Sequence, residues 1–191
     1  MAKTRKLTRQ VVVETAARLV DQAGSFEAIS LAQLAAALDI RVPSLYNHVD
    51  GLKGLKYALT IYWANEFHRY VNETIQGKSG REALIAFAKT YRQSAKDHPG
   101  LYPLMLRAPE EHEEELAAIH TQFLNTVMLM LGSFGINGDQ ALHAIRGFRS
   151  LLHGFVSLDQ VGGFGMPLDL DHSYELLTNM MIDGLEQLAR N

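Results

Sequence analysis

The stretch "ISLAQLAAALDIRVPSLYNHVDGLKGL", residues 29–55, decides the fold. Ser30 followed three positions later by Gln33 is a capping-box pattern, and Leu31, Leu34, Ala35 and Leu38 fall on one helical stripe. Asp39 then suits a tight turn, because a short polar side chain tolerates left-handed backbone better than most residues do. Pro43 fits the first turn of a new helix, which the pattern predicts from about Val42 to Val49. Upstream, Thr8 can cap a helix with Val12, Ala16, Leu19 and Val20 at i, i+4, i+7 and i+8, and Gly24 offers its stop. Two short helices joined by a three-residue turn, with a third before them, describe a helix-turn-helix.

In such a motif the second helix enters the DNA major groove by its amino-terminal end, while flanking groups hold phosphates. Groove reading needs short side chains that donate, accept or touch a thymine methyl. Ser44 and Asn47 supply hydrogen bonds, and Val42 and Pro43 supply apolar contact. Tyr46 and His48 are long enough for the backbone, where contacts position the protein rather than specify sequence. Ser30, Arg41 and Lys53 complete the candidate DNA-binding set, and Leu45 and Val49 are expected to face inward. The competing reading, a motif used only for packing or protein contacts, requires this polar face to be covered.

Composition agrees with a globular chain. Hydrophobic residues make up 47% and charged ones 20% of 191 residues, which argues against disorder. Cysteine is absent, excluding disulfides and thiolate metal sites. Glu14 and Arg18 interrupt any signal-peptide core, and no uncharged apolar run approaches the ~20 residues of a bilayer span. A cytoplasmic protein with no membrane partner is the expectation. Residues 1–57 carry eight Lys/Arg against five Asp/Glu, a net +3, whereas residues 58–191 carry ten against sixteen, a net −6. A positive end on an acidic body suits phosphate attraction at that end.

The remainder also reads helical. A helix over 52–75 carries Leu55, Leu59, Tyr62, Trp63 and Phe67, and "QGKSG" (76–80) is a loop. Further helices are expected at about 81–97, 101–107, 110–134, 138–161 and 172–189. The chain is predicted to be all-α with about nine helices. A helix-turn-helix domain over 1–51 is followed by a helical ligand-binding and dimerisation domain over 52–191, joined by helix 52–75.

Helices 138–161 and 172–189 each show two adjacent apolar stripes, more than one core-facing side requires. Leu142, Ile145, Phe148, Leu152 and Phe155 lie beside Ala141, Ala144 and Leu151; Leu177, Met181, Leu185 and Leu188 lie beside Leu176, Met180 and Gly184. One stripe can pack inward and the other against a second copy. Leu151, Leu177, Met181, Gly184, Leu185 and Leu188 are the candidate dimer contacts; the alternative places both helices centrally in a monomer.

All methionines after the initiator lie beyond residue 100. Met105 and Met128, with Phe123, Phe148, His153 and Phe155, are candidates for an adaptable ligand pocket, and ordinary core packing is the competing reading. No G-x-S-x-G elbow, phosphate loop or H-E-x-x-H appears, so no enzyme is expected. "PEEHEEELAAIH" (109–120) brings Glu111, His112 and Glu115 together, but an acidic solvated face explains it better than a metal site. No cofactor is implied.

The 29–55 stretch resembles the DNA-binding region of the tetracycline-repressor (TetR) family, marked by a capped helix, a turn and then L-Y-x-H-V. Over about residues 8–58 the Ser30 cap, Leu34-Ala35, Ile40, Leu45-Tyr46, His48-Val49 and Leu55 fall in register. The resemblance implies base contacts from Val42, Pro43, Ser44 and Asn47, and phosphate contacts from Tyr46, His48 and the capped start at Ser30. It departs at Asp39, where the family usually has Gly, and at Leu52, where it usually has Lys; Lys53 stands next to it. "RGFRSLLHGFVSLDQVGGFG" (146–165) is similar to ligand domains carrying a Trp-His-Gly signature, with His153-Gly154 matching and Leu152 at the Trp position. The family implies a homodimer, a double-stranded palindromic operator, release by a small-molecule effector of unspecified identity, and a repressor.

Overall fold

The computed structural model describes residues 7–190. Lys3, Arg5 and Lys6, counted above in the basic end, lie outside the described residues. Among those described there are eight α-helices, two 3-10 turns and no strand. The all-α expectation holds, and the helix count differs by one.

Helix α1 (Arg9–Ala23) starts where Thr8 accepts the Val11 amide at 3.2 Å. It ends at Gly24, whose φ of +74° needs a residue without a Cβ. A 3-10 turn (Phe26–Ala28) leads to α2 (Leu31–Ala37). There both halves of the capping box form: the Gln33 amide donates to Ser30 Oγ at 3.3 Å, and the Ser30 amide to Gln33 Oε1 at 2.8 Å. Asp39 turns the chain with φ +54°, the left-handed geometry its position demanded.

Helix α3 is shorter than the predicted 42–49. It spans Val42–Leu45, with Pro43 in its first turn, and residues 46–48 continue as a turn. The amides of His48 and Val49 both converge on the Leu45 carbonyl, at 2.8 and 3.0 Å. That shared acceptor closes the coil before another helical turn can follow. Helix α4 (Gly51–Ile75) follows, then α5 (Gly80–Asp97).

Two predicted elements are corrected. Residues 101–107 form a 3-10 turn, Tyr102–Met105, rather than an α-helix. The helix expected from 110 begins only at Glu114, as α6 (Glu114–Gly132). Glu113 folds back instead. Its carboxylate accepts the Glu110 amide at 2.9 Å and both Arg107 guanidinium nitrogens at 2.5 and 2.6 Å, so residues 107–113 form a clasp rather than a first turn. The fork holds the Glu113 carboxyl down to about 2. Glu111, His112 and Glu115 stay exposed, as the solvated-face reading supposed. Helices α7 (Gly138–Gln160) and α8 (Leu170–Leu188) complete the chain and pack on each other.

The chain divides into two compact units. One comprises the chain through Glu66 together with Asp97–Ile119; the other comprises Phe67–Lys96 and His120–Asn191. The boundary thus falls inside α4. In the first unit α1 packs on α2 and α2 on α3, burying Val12, Ala16, Val20, Leu34, Leu45 and Leu55, while Ala64, Leu116 and Ile119 form a further cluster with Tyr57 and Ile61. In the second, Phe67, Phe87, Tyr91, Phe123 and Phe148 form a chain of tilted and edge-on rings with centroids 5.4–6.3 Å apart, favourable geometry for aromatic quadrupoles.

Candidate nucleic-acid interface

The turn at Asp39 sets α3 so that its apolar and polar sides separate. Leu45 is fully buried and Val49 nearly so, which anchors the segment. Tyr46 between them is 59% exposed. Arg41, Pro43 and Asn47 are exposed, and Val42, Ser44 and His48 are half-buried. Arg41, Pro43, Tyr46 and Asn47 are therefore left accessible by the packing of the described residues. Tyr46 exposes a large aromatic ring directly beside the buried Leu45.

Positive charge on this unit is selective. Lys56 is committed: its ammonium pairs with Glu27 at 2.8 Å and sits 5.1 Å from the Phe26 ring centroid. Hydrogen bonds from Lys56 and then Ser25 hold the Glu27 carboxyl down to about 2. Arg41 and Lys53 are exposed and form no ion pair with another described residue, so their charge is available to an external anion. Leu52, at the position where lysine was expected by resemblance, is exposed beside Lys53. The Ser30 hydroxyl is largely occupied by Gln33, donating to Oε1 at 2.8 Å.

A set of residues that sequence reading passed over holds α1 in place. The Asp21 carboxylate accepts from His98 Nδ1 at 2.7 Å and from the Leu101 amide at 3.3 Å. The buried Trp63 lies against the His98 ring, centroids 4.5 Å apart. Gly100 packs so closely on Val20 that a Cβ there would stand 2.2 Å from its carbonyl oxygen. In the sequence, "HPG" (residues 98–100) reads as a helix break, and "KDHPGLYPLML" (96–106) resembles the same ligand-domain subfamily as residues 146–165; neither predicts this seat.

The pocket candidates are distributed. Phe123 packs on Phe67, Phe87 and His68, and Phe148 on Phe87. Phe155 meets Phe164 at 4.8 Å and Tyr174 at 5.0 Å. Met128 and His153 are half-buried in the same unit, whereas Met105 belongs to the other. His68, unnoticed in the sequence, bonds Thr126 Oγ1 at 3.1 Å, and burial lowers its pKa. Arg92 is the other surprise. It is buried between the Phe155 and Tyr174 rings, 5.2 and 5.0 Å from their centroids, and pairs with Asp159 at 3.2 Å and Asp171 at 2.7 Å.

The stripes of α7 and α8 divide differently from the expectation. Ala141, Ala144, Phe148, Leu152 and Phe155 are buried, while Leu142 is exposed and Leu151 half-buried. On α8 the buried stripe is Tyr174, Thr178, Ile182 and Leu185. Leu185 is thus corrected from the dimer set, being core of its own chain. Met181 is half-buried and Leu177 likewise; the Met181 terminal methyl lies 3.3 Å from where a Gly147 Cβ would be. Leu176, Met180, Gly184 and Leu188 are exposed. The Tyr174 hydroxyl explains this rotation: it donates to the Ala88 carbonyl at 2.7 Å and turns that face toward α5.

Comparison with known proteins places the chain in a family. Residues 84–181 match the family model described as "Tetracyclin repressor-like, C-terminal domain". An uncharacterized HTH-type transcriptional regulator of Mycobacterium tuberculosis (Rv0681) is 32% identical over 98% of this chain and 85% of its own length. Another, YobS of Bacillus subtilis, is 30% identical over 94% of this chain and 93% of its own. Among solved structures, TetR from Acinetobacter baumannii AYE has a similar fold, with TM-score 0.72 at 19% identity, covering 96% of this chain and 99% of that one. A variant of that protein in complex with minocycline superposes with TM-score 0.74 at 21% identity and the same coverage. The chain belongs to the TetR family of helix-turn-helix transcriptional regulators, and it controls transcription rather than catalysing a reaction.

Proposed function

We propose that this regulator is a homodimeric repressor that grips a palindromic double-stranded operator and is released from it by a small molecule. In this reading residues 1–51 are the DNA-binding domain, residues 52–191 carry the effector and the dimer contact, and α4 connects them. Val42, Pro43, Ser44 and Asn47 face bases. Tyr46, His48, Arg41, Lys53 and the capped start at Ser30 hold the backbone. The single observation that carries the proposal is Tyr46, 59% exposed while its neighbours Leu45 and Val49 are buried. A helix pinned from behind with an aromatic and an amide facing solvent is equipped to meet a nucleic acid.

Dimerisation is proposed through the outward side of α7 and α8, where Leu176, Met180, Gly184 and Leu188 are exposed together. Two copies would set their recognition helices ~34 Å apart, one turn of duplex. The effector is proposed to enter the aromatic cluster of the second unit, whose resemblance to Trp-His-Gly ligand domains rests on His153 and Gly154. Minocycline bound to a structural relative supports a small-molecule effector for this fold without identifying the one used here. In this reading the regulator acts in the cytoplasm, where it meets its operator.

Selection from random duplex DNA, followed by fluorescence anisotropy on the enriched site across a salt series, tests the reading. Binding should require a palindrome and weaken steeply as salt rises, because each neutralised phosphate releases counterions. Failure to enrich any duplex in dilute buffer would refute it.

A further inference from the structure

Four large apolar side chains stand exposed within residues 158–168, where α7 passes into α8: Leu158 at 48%, Val161 at 77%, Met166 at 74% and Leu168 at 70%. The segment that carries them is held in place. Gly162 turns it at φ +68°, a geometry that a Cβ would strain. The Gly163 amide then donates to the Leu158 carbonyl at 2.7 Å, and a Cβ on Gly163 would stand 3.1 Å from that oxygen and from Leu158 Cδ2. The Phe164 ring lies 4.8 Å from that of Phe155, a buried residue of α7. Asp169 closes the segment by accepting the Asp171 and His172 amides at 2.9 and 3.4 Å. The connection is thus folded around Phe164 with its other apolar side chains turned to solvent. Single exposed apolar residues are ordinary, but a group of them on an ordered segment marks an interaction site.

The group is continuous with the outward side of the helices. Gly147, Leu151, Gly154, Leu158 and Val161 repeat at helical intervals, forming one stripe along α7. The Met181 methyl rests against Gly147 of that stripe, so Leu177 and Gly184, one turn to either side of Met181 on α8, flank it. A standard interface buries about 800 Å² on each partner, of which about 450–520 Å² is apolar. A fully exposed Leu, Met or Val offers roughly 100 Å² of apolar surface. On that scale the exposed Leu176, Met180 and Leu188 supply roughly 150 Å², and residues 158–168 add roughly 270 Å². The α8 side chains fall well short of a standard interface by themselves, and the connection brings the surface close to one.

We propose that the 158–168 connection is a preformed apolar knuckle that docks on a second copy of this chain and extends the α7–α8 face into one self-complementary interface. The inference rests on the reading of the regulator as a homodimer and adds to it a contact outside the two helices. Being folded beforehand, the knuckle loses little conformational freedom on docking. Residues 150–189 hold no Lys or Arg, so the surface lacks the cations that an anionic lipid surface or a nucleic acid attracts. Its acidic neighbours Asp159 and Asp171 both pair with Arg92, at 3.2 and 2.7 Å. Two copies therefore meet there without uncompensated like charge.

Analytical ultracentrifugation of the full chain is the test. The parent should sediment as a dimer at micromolar concentration. The double variant Met166→Gln/Leu168→Gln should raise the dimer dissociation constant roughly 100-fold, tenfold for each copy of the surface, with helix content by circular dichroism unchanged. Leu129→Gln, at a 77% exposed leucine of α6, should associate as the parent does. Val161→Thr should weaken the dimer roughly 5-fold by burying a hydroxyl, and it gives the same comparison if the double variant fails to fold. A dimeric parent whose double variant and Val161→Thr associate as tightly overturns the knuckle and leaves the homodimer standing, whereas a monomeric parent overturns both. Flotation of the parent, but not of the double variant, with vesicles of anionic phospholipid assigns the surface to lipid and likewise overturns the inference.

Discussion

Replacing Gly100 by alanine tests how α1 is held. The new Cβ would lie 2.2 Å from the Val20 carbonyl oxygen, 2.7 Å from its carbonyl carbon and 2.9 Å from Cγ1. All three belong to a fully buried residue of α1, and two are backbone, so no flexible side chain can swing aside. A relaxed contact needs the loop and α1 to part by about 1 Å, and overpacking of this kind costs about 1–3 kcal/mol. Parting also stretches the bonds from His98 and the Leu101 amide to Asp21, now 2.7 and 3.3 Å, each worth about 1 kcal/mol. Gly100 is not among the glycines at positive φ, so alanine introduces no backbone strain. It recovers about 0.4–1 kcal/mol by restricting the unfolded chain. The balance is a loss of about 2–3 kcal/mol, or roughly 4–12 °C in thermal midpoint for a chain of this size. Urea unfolding of parent and variant measures it. A change below about 0.5 kcal/mol, within the ordinary range of surface substitutions, would show that the close approach of loop and helix does not hold α1.

Three further outcomes are expected. Tyr46→Ala should weaken binding to all duplexes alike, whereas Asn47→Ala should relax preference at one base position by about 1–3 kcal/mol; anisotropy on single-base operator variants separates them, and a uniform effect from both would remove Asn47 from the reading face. Asp39→Gly should stabilise by up to about 1 kcal/mol, since φ +54° strains any side chain but suits glycine; a lower urea midpoint would contradict this. Because Arg107 holds the Glu113 carboxyl near 2, below its ordinary 4.5, their pairing contributes stability above pH 4.5 that is lost as pH falls from there through about 2. Arg107→Ala should therefore lower the unfolding midpoint at neutral pH and flatten its decline across that acid window; an unchanged acid slope would count against the clasp.

Two local devices set the geometry of residues 30–49. The three bonds of the Ser30–Gln33 box stiffen the start of α2, and the left-handed Asp39 aims α3. Together they leave Tyr46 and Asn47 exposed on a helix of only four residues, which Leu45 and Val49 fasten from behind.

What the amino-acid order determined alone was whatever depends on residues within about one helical turn of each other. Thr8 and Ser30 as caps, Gly24 and Asp39 as left-handed stops, Pro43 in a first turn and the inward Leu45–Val49 spacing all rest on such short-range bonds and periodicity. The tertiary structure decided everything that pairs distant positions. Asp21 meets His98 across 77 residues, Tyr174 reaches Ala88 across 86, and Arg81 reaches Asp183 across 102. The face of α8 that turned inward, Tyr174, Thr178, Ile182 and Leu185, is neither of the two apolar stripes on that helix, and Leu176 and Met180 stay outside. "PEEHE" became a clasp rather than a helix start because Arg107 and Glu113, six residues apart, meet as a two-pronged ion pair that helical periodicity does not encode. Hydrophobic periodicity states that a face will be buried; the partner that buries it is set by how the whole chain closes.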